Sequence, residues 1–258
     1  MSVQIEALRA NSDALLRILR LSAIALLIAA VPILLVTTSL RLAINGLWLY
    51  EYGFDKYDIP EATGIAETDL TEAGREVIAY FNSDDEFIDI RTTINGEEQD
   101  LFNQREIIHM KDVKGLVRGV YLWQVLSLLY ILIFAGLGFA LGGRRILAYL
   151  AKGLLAGGGL TVFALIALGL GVLLGFDSLF LRFHLTFFSN DFWRSNGYMT
   201  ALFTEGFFQD ATLVVAGLSI GMAVIIGAVA GAFLLWRRRA TKSRLGEGQE
   251  ATSAAPLR

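Results

Sequence analysis

The chain of 258 residues contains only two histidines, His109 and His184, and no cysteine. Histidine titrates near neutral pH, so two imidazoles that face one site can serve as general base and general acid. His109 lies in the charged stretch "REIIHMKDVK", shortly before a long apolar run, and His184 lies shortly after another apolar run ends. Without cysteine there is no disulfide and no thiolate chemistry. The two histidines are therefore the first candidates for a catalytic pair.

Metal binding and a hydroxyl nucleophile are two other chemistries that residues near these histidines could support. Glu106 or Asp112 could join the imidazoles around Zn²⁺, but no metal-binding spacing such as H-E-x-x-H is present. Ser189 or Thr186 could act as a hydroxyl nucleophile, but no G-x-S-x-G motif supports this. We therefore expect neither a metal nor a cofactor. Either histidine alone would be an ordinary residue of a membrane interface, and the hypothesis depends on the pair.

The elements that must position these histidines are membrane helices. The chain is 55% hydrophobic, which is too apolar for an ordinary soluble domain. Apolar runs of the ~20 residues needed to cross a bilayer occupy residues 21–43, 116–141, 154–176 and 211–236. In lipid such runs form helices. The fold class predicted is an all-α polytopic membrane protein with four transmembrane helices, the first of them retained rather than cleaved as a signal peptide. Four G-x-x-x-G spacings in these runs predict close helix packing.

The basic residues predict the orientation. Arginine and lysine cluster before the first run, between the second and third, and after the fourth. The positive-inside rule places these three segments, residues 1–20, 142–153 and 237–258, in the cytoplasm. The last of them is predicted to be a disordered tail. Residues 44–115 and 177–210 then lie outside, so both histidines reach the outer interface. The net charge of −3 does not suggest a nucleic-acid partner.

The two outer segments differ in character. Residues 44–115 are acidic and predict a small α+β cap: a helix with Asp69 as its N-cap, and a hairpin at Asn95-Gly96. The aromatic residues between Trp48 and Tyr57 predict an interfacial belt. Residues 177–210 belong to a region with nine of the 17 phenylalanines, interleaved with charges. This pattern favours a partly helical segment lying in the membrane interface.

Two motifs carry a resemblance to a known family. The first is "E-x-x-H-M-x-D-V-K", from Glu106 to Lys114, just before an apolar run. The second is "F-H-x-x-F-F-x-N-D-x-W", from Phe183 to Trp193, just after the next one. Together with "YGFDKYDIPEATGI", they resemble the bacterial lipoprotein intramolecular transacylase (Lit) family of integral membrane proteins. Leu185 departs from the polar residue expected after the second histidine.

The resemblance implies an acyltransferase of the bacterial plasma membrane with both termini cytoplasmic and its site at the outer interface. It would move the sn-2 acyl chain of a diacylglyceryl lipoprotein to the α-amino group of that protein's N-terminal cysteine. Its partners would be this substrate and membrane lipid, and we expect a monomer. His109 and His184 map onto the family's catalytic histidines, and which is base and which acid stays open.

Other residues are expected to support the pair. Glu106 or Asp112 could orient an imidazole, while Asn190 and Arg182 are candidate oxyanion donors, with Tyr121 and Gln124 as weaker ones. The motif adds Asp191 and Trp193 as supporting or substrate-binding residues. The nearby basic residues Arg105, Lys111 and Lys114 are expected to meet lipid headgroups. Two alternatives remain: a non-catalytic membrane protein whose cap binds a partner, and another interfacial lipid-modifying enzyme.

Overall fold

A computed structural model describes the backbone of residues 2–253 and the side chains of residues 11–241. The described chain is largely helical, with one short hairpin. Its elements in order are α1 (Ser2–Ile44), α2 (Leu47–Lys56), α3 (Ile59–Thr63), α4 (Glu67–Asn82), β1 (Arg91–Ile94), β2 (Glu97–Asp100), α5 (Gln104–Gly142), α6 (Ile146–Phe187), α7 (Tyr198–Leu202) and α8 (Glu205–Ser253). Single 3₁₀ turns lie at Gly143–Arg145 and Phe192–Arg194.

Three helical stretches of the described chain are long and apolar enough to cross a membrane. They are Asn11–Ile44, Gln104–Phe187 and Glu205–Thr241, with 34, 84 and 37 residues. The middle stretch contains α5, the turn at Gly143–Arg145 and α6. The prediction of four spans therefore depends on how this stretch is divided, and it stays a prediction.

The chain forms two compact units. The first contains residues up to Leu35, Leu126–Phe163 and the residues from Ile220 onward. Within it, a Cβ atom added at Gly153 would overlap Leu27, and one at Gly157 would overlap Val31. The missing side chains thus let the backbones of α1 and α6 approach each other closely.

The other glycine spacings behave differently. Cβ atoms added at Gly217, Gly221 or Gly231 would contact nothing in the described residues. The prediction of close packing thus holds for the Gly153–Gly157 pair and is wrong for the glycines at 217, 221 and 231. Spacing alone does not tell which face of a helix meets a neighbour.

The second unit contains Val36–Val125 and Ala164–Ser219, and it includes the predicted cap. The amphipathic helix is present as α4, with Leu70, Val77 and Phe81 buried in its apolar face. The hairpin is present too: β1 and β2 pair antiparallel, with Ile94 opposite Glu97. Asn95 and Gly96 have φ angles of 54° and 88°, the two positive values that a type I′ turn requires.

Two predictions about the second unit are wrong. Helix α4 begins at Glu67 after Ala66, so Asp69 lies in the first turn and is not the N-cap. A carboxylate there still favours the helix through the macrodipole. The aromatic belt is only partly present, because Tyr50 and Phe54 are buried in the core of this unit, where Tyr50 lies edge-on to Phe203 and Phe54 is tilted against it. Side-chain packing across the cap, which the local sequence does not reveal, decides this.

The ends of α6 and α8 extend past the predicted spans. Helix α6 leaves helical geometry at Gly175 and then continues to Phe187, so the outer segment begins as a helix. Helix α8 continues to Ser253, so residues 237–253 of the predicted disordered tail are helical. The rest of that tail, residues 254–258, lies outside the described residues.

Candidate active site

The structure brings the two histidines together. His109 lies in the second turn of α5, and His184 lies one turn before the end of α6. Their ring centroids are 6.2 Å apart and their planes differ by 27°. Only 5% of His109 and 6% of His184 is exposed. Two distant parts of the chain therefore place two imidazoles side by side in a sheltered position.

The tautomer of His184 follows from one contact. Its Nδ1 lies 2.8 Å from the backbone oxygen of Phe180. A carbonyl oxygen only accepts hydrogen bonds, so Nδ1 carries the proton and donates it. In the neutral ring Nε2 is then the atom with the lone pair. His184 is thereby held in a form that can accept a proton.

His109 lacks the kind of hydrogen bond that fixes the tautomer of His184. Its Nδ1 is buried and has no hydrogen-bond partner among the described residues. A buried polar atom without a partner costs about 1–3 kcal/mol, so such atoms mark positions where a ligand or substrate group can bind. Burial next to the ring of Phe188, 4.6 Å away between centroids, also disfavours the charged imidazolium. His109 thus carries a ring nitrogen that no described residue uses as a hydrogen-bond partner.

Aromatic rings enclose the pair. The ring centroid of Phe180 lies 4.2 Å from that of His184, and Trp193 stacks on the imidazole at 4.4 Å with planes 30° apart. Phe180, His184 and Phe188 follow each other at intervals of four residues, so they lie on one side of α6 and of its C-terminal end. Phe180 and Phe188 were not predicted as neighbours of the pair, although their spacing from His184 places them on its side of a helix.

The segment after α6 is tied to the first turns of α5. Arg105 forms a 2.8 Å ion pair with Asp191, and Asn190 donates a 2.9 Å hydrogen bond to Asp112. The side chain of Asn103 donates to Ser195 at 3.0 Å. These contacts hold the loop that carries Trp193 against His184. Asp191 and Asn190 thus help to position this loop, and a role in the site stays a prediction.

Glu106 has a role that differs from the expected one. Its fully buried carboxylate accepts hydrogen bonds from the backbone amides of Asn103 at 3.0 Å and Met199 at 3.1 Å. Asn103 in turn caps the amides of Arg105 and Glu106, which completes a capping box. The carboxylate thus joins the start of α5 to α7 and does not orient an imidazole. The sequence contains the spacing of this capping box, because Asn103 precedes Glu106 by three residues.

Four other candidates lie away from the pair. Arg182 is exposed and, two residues from His184 on one helix, points about 200° away from it. Thr186 is exposed and donates to the carbonyl of Arg182 at 2.7 Å. Tyr121 accepts from Asn45, and Gln124 accepts from Arg41, in a separate polar cluster. The structure does not place these side chains at the histidines.

Lipid headgroups are not needed to explain the basic residues of α5. Lys111 binds Glu86 at 2.6 Å. Lys114 is buried and donates to the carbonyl of Asp85 at 2.6 Å. With the ion pair of Arg105, each of the three basic residues has a partner inside the protein, and their contact with lipid headgroups stays a prediction.

The family model "Lipoprotein intramolecular transacylase Lit" matches residues 25–208, a segment that contains both histidines. The chain belongs to this family. The resemblance of the two motifs is thus confirmed, and the protein is an acyltransferase with a membrane location.

Solved structures give the same fold. The chain is similar to the membrane-integral lipoprotein intramolecular transacylase Lit from Bacillus cereus, with a TM-score of 0.68, 19% identity, and coverage of 86% of this chain and 96% of that one. Two further structures of that protein, with a histidine replaced by arginine or by alanine, each give a TM-score of 0.71 at 19% identity. They cover 90% and 89% of this chain and 99% of their own. No curated protein matches the chain.

Proposed function

We propose that the protein transfers the sn-2 acyl chain of a diacylglyceryl lipoprotein to the α-amino group of the lipoprotein's N-terminal cysteine. The observation that carries this proposal is the sheltered pair of His109 and His184, with ring centroids 6.2 Å apart. Acyl transfer from an ester to an amine needs one group that takes a proton from nitrogen and one that gives a proton to oxygen. Two neighbouring imidazoles supply both.

The first step prepares the amine. An α-ammonium group has a pKa near 8, so it enters largely protonated and must lose a proton to become a nucleophile. We assign this proton to the unpartnered Nδ1 of His109; because burial disfavours the imidazolium, the charged ring readily gives the proton up in the next step. The neutral amine then attacks the ester carbonyl carbon, and the carbonyl oxygen takes up the displaced electron pair.

The second step breaks the ester. His184 Nε2 takes the remaining excess proton from the attacking nitrogen, while the His109 imidazolium gives its proton to the glyceryl oxygen. The carbon–oxygen bond then breaks and leaves an amide and a free hydroxyl. His184 releases one proton to solvent, which balances the conversion of an ammonium to an amide. The Phe180 carbonyl, 2.8 Å from Nδ1, supports the positive charge on His184 while it lasts.

No acyl-enzyme is needed, because donor and acceptor lie on one molecule. The site has only to hold the two reacting groups in an attack geometry, and such tethering is worth up to ~7–11 kcal/mol of the barrier. The sequence neighbours of His184 include three exposed apolar side chains: Phe183, Leu185 and Phe187. This surface suits the acyl chains of a lipid substrate.

The proposal includes four membrane spans. Contacts of Thr38 and Asn45 with Gln124 and Tyr121 run antiparallel, so α5 returns along α1. Contacts of Leu27 and Val31 with Gly153 and Gly157 run parallel, so α6 follows the direction of α1 again. The turn at Gly143–Arg145 thus separates two oppositely directed helices, which supports two crossings within the 84-residue stretch.

The test is mass spectrometry of lipoprotein N-termini in a bacterium that lacks this activity. Expression of the wild type should convert diacylglyceryl lipoprotein to the N-acylated lyso form. His109→Ala and His184→Ala should each abolish the conversion, because each removes one of the two proton transfers. The control is Arg75→Gln, which replaces an exposed side chain of α4 outside the histidine pair and should behave as wild type.

The outcomes separate the proposal from its rivals. Full conversion by both histidine variants, at equal expression, would show a function that does not use the pair, such as partner binding by the cap. A different modification of the lipoprotein, lost in both variants, would show another lipid-modifying reaction at the same site.

A further inference from the structure

A second polar cluster lies at the end of α1, apart from the histidines. Arg41 donates a 3.1 Å hydrogen bond to Gln124, and its guanidinium lies 4.5 Å from the centre of the Tyr121 ring. Asn45 donates to the Tyr121 hydroxyl at 2.7 Å and to the Arg41 carbonyl at 2.7 Å. The reaction proposed above uses none of these side chains.

Arg41 differs from most other cations of this unit, although Lys114, Arg182 and Arg194 also form no ion pair with a described carboxylate. Ion pairs with carboxylates are formed by Lys56, Arg75, Arg91, Arg105, Lys111 and Arg118. Arg41 forms none with any residue that the structure describes, although its side chain is exposed. A guanidinium has five N–H donors, and only one of them is used by Gln124.

Exposed apolar side chains flank this polar cluster on both helices. Leu42 beside it on α1 is 53% exposed, and Leu122 and Trp123 beside Tyr121 on α5 are each 57% exposed. Both helices lie in stretches that are apolar enough to cross a membrane. A cation on a lipid-facing surface without a carboxylate is costly unless an anion is supplied from the lipid. Arginine matches the geometry of a phosphate group particularly well.

We propose that Arg41, together with Tyr121 and Gln124, binds the phosphate of a membrane phospholipid at this surface. Asn45 donates to the oxygen of Tyr121, so the phenolic O–H proton points elsewhere and can be donated to a phosphate oxygen. The cation–π contact holds the guanidinium plane beside that hydroxyl. The Gln124 side chain fixes one edge of the guanidinium and leaves the remaining donors for the ligand.

A purely structural role of Arg41 predicts different lipid binding. Arg41 lies in the last turn of α1, where a cation is favoured by the helix macrodipole without any ligand. In that case lipid binding would not depend on Arg41, and a phosphate-free lipid would bind as well as a phospholipid.

The experiment is native mass spectrometry of the full-length protein in detergent, titrated separately with phosphatidylglycerol and with diacylglycerol of the same chains. Phosphatidylglycerol should be retained, and diacylglycerol should be retained about tenfold less, because it lacks the phosphate that the guanidinium would bind. Arg41→Gln should weaken phosphatidylglycerol binding by about tenfold, and Arg41→Lys should restore part of it, because lysine keeps the charge but not the paired donors.

Two controls complete the design. Arg75→Gln removes a surface arginine already paired with Glu72 and should bind lipid as wild type. Inorganic phosphate at millimolar concentration should not displace the lipid; displacement would assign the site to a free anion and overturn the lipid assignment. Equal binding of diacylglycerol and phosphatidylglycerol by the wild type would also overturn it, even if the Arg41 variants failed to fold. Lipoprotein conversion is measured separately, so its failure would leave this result intact.

Discussion

Trp193 stands out among the residues around the histidine pair, because it stacks on the ring that is proposed to become positively charged. Its ring lies 4.4 Å from His184, with planes 30° apart. The face of an indole attracts a cation, which is worth ~0.5–2 kcal/mol. Trp193 would therefore stabilise the imidazolium of His184 as well as shelter the site.

Replacing Trp193 tests this role. Trp193→Leu should lower the conversion rate of a synthetic diacylglyceryl lipopeptide by about tenfold, and Trp193→Phe by less, because phenylalanine keeps an aromatic face. The rate is measured by mass spectrometry with purified protein. Trp48→Leu, at an exposed tryptophan of α2, is the control and should leave the rate unchanged. Equal losses in the Leu and Phe variants would show that shape, and not the aromatic face, matters.

At this scale the sequence predicts identities better than roles. The histidines could be found because they are rare and lie beside apolar runs. Glu106 could be found from its motif, but its hydrogen bond from Met199 depends on α7, 93 residues away in sequence. Arg182 was expected at the site because it is close to His184 in the chain, yet the helical period turns it away.

At the scale of elements, α5 holds the cap through its own basic face. Lys111, Lys114 and Arg118 follow each other at helical spacing and contact the segment 83–86 after α4. Lys114 is buried, donates to Ser83 Oγ at 3.1 Å and to the Asp85 carbonyl at 2.6 Å, and lies 4.0 Å from the centre of the Tyr80 ring. It thus closes the C-terminal end of α4 onto the helix that carries His109.

Lys114→Met should therefore destabilise the protein. The variant keeps the length of the side chain but removes both hydrogen bonds of Lys114 and its contact with the Tyr80 ring, so the free energy of unfolding should fall by about 1–3 kcal/mol. Thermal unfolding in detergent measures this. Lys111→Met is the matched control, because its partner Glu86 is exposed and such pairs are worth ~0–1 kcal/mol. An equal loss in both variants would contradict the special role of Lys114.

Elements defined by local chemistry were predicted, and those defined by tertiary packing were not. Asn95-Gly96 specifies its own turn, because asparagine and glycine tolerate positive φ. The apolar face of α4 follows from its spacing. The burial of Tyr50 and Phe54 depends on Phe203, about 150 residues later, and no local pattern reports such a contact.

At the scale of the whole molecule, the number of membrane crossings within Gln104–Phe187 decides on which sides of the membrane its two ends lie. One crossing would place the two ends of the stretch on opposite sides, whereas two crossings place them on the same side. The 84 residues would span ~126 Å as one straight helix, far more than a ~30 Å hydrocarbon core requires. The turn at Gly143–Arg145 and the opposite directions of α5 and α6 favour two crossings.

The absence of cysteine makes this testable with single introduced thiols. Glu98→Cys lies on the exposed strand β2, Ser189→Cys follows α6, and Gly142→Cys precedes the turn, where an added side chain meets no described atom. With two crossings, a membrane-impermeant maleimide should label Glu98→Cys and Ser189→Cys in cells whose plasma membrane is intact but whose outer surface is accessible. Gly142→Cys should be labelled only after that membrane is permeabilised. Labelling of Glu98→Cys and Ser189→Cys from opposite sides would reduce the stretch to one crossing, and it would leave the proposed outer-interface position of the histidine pair without support.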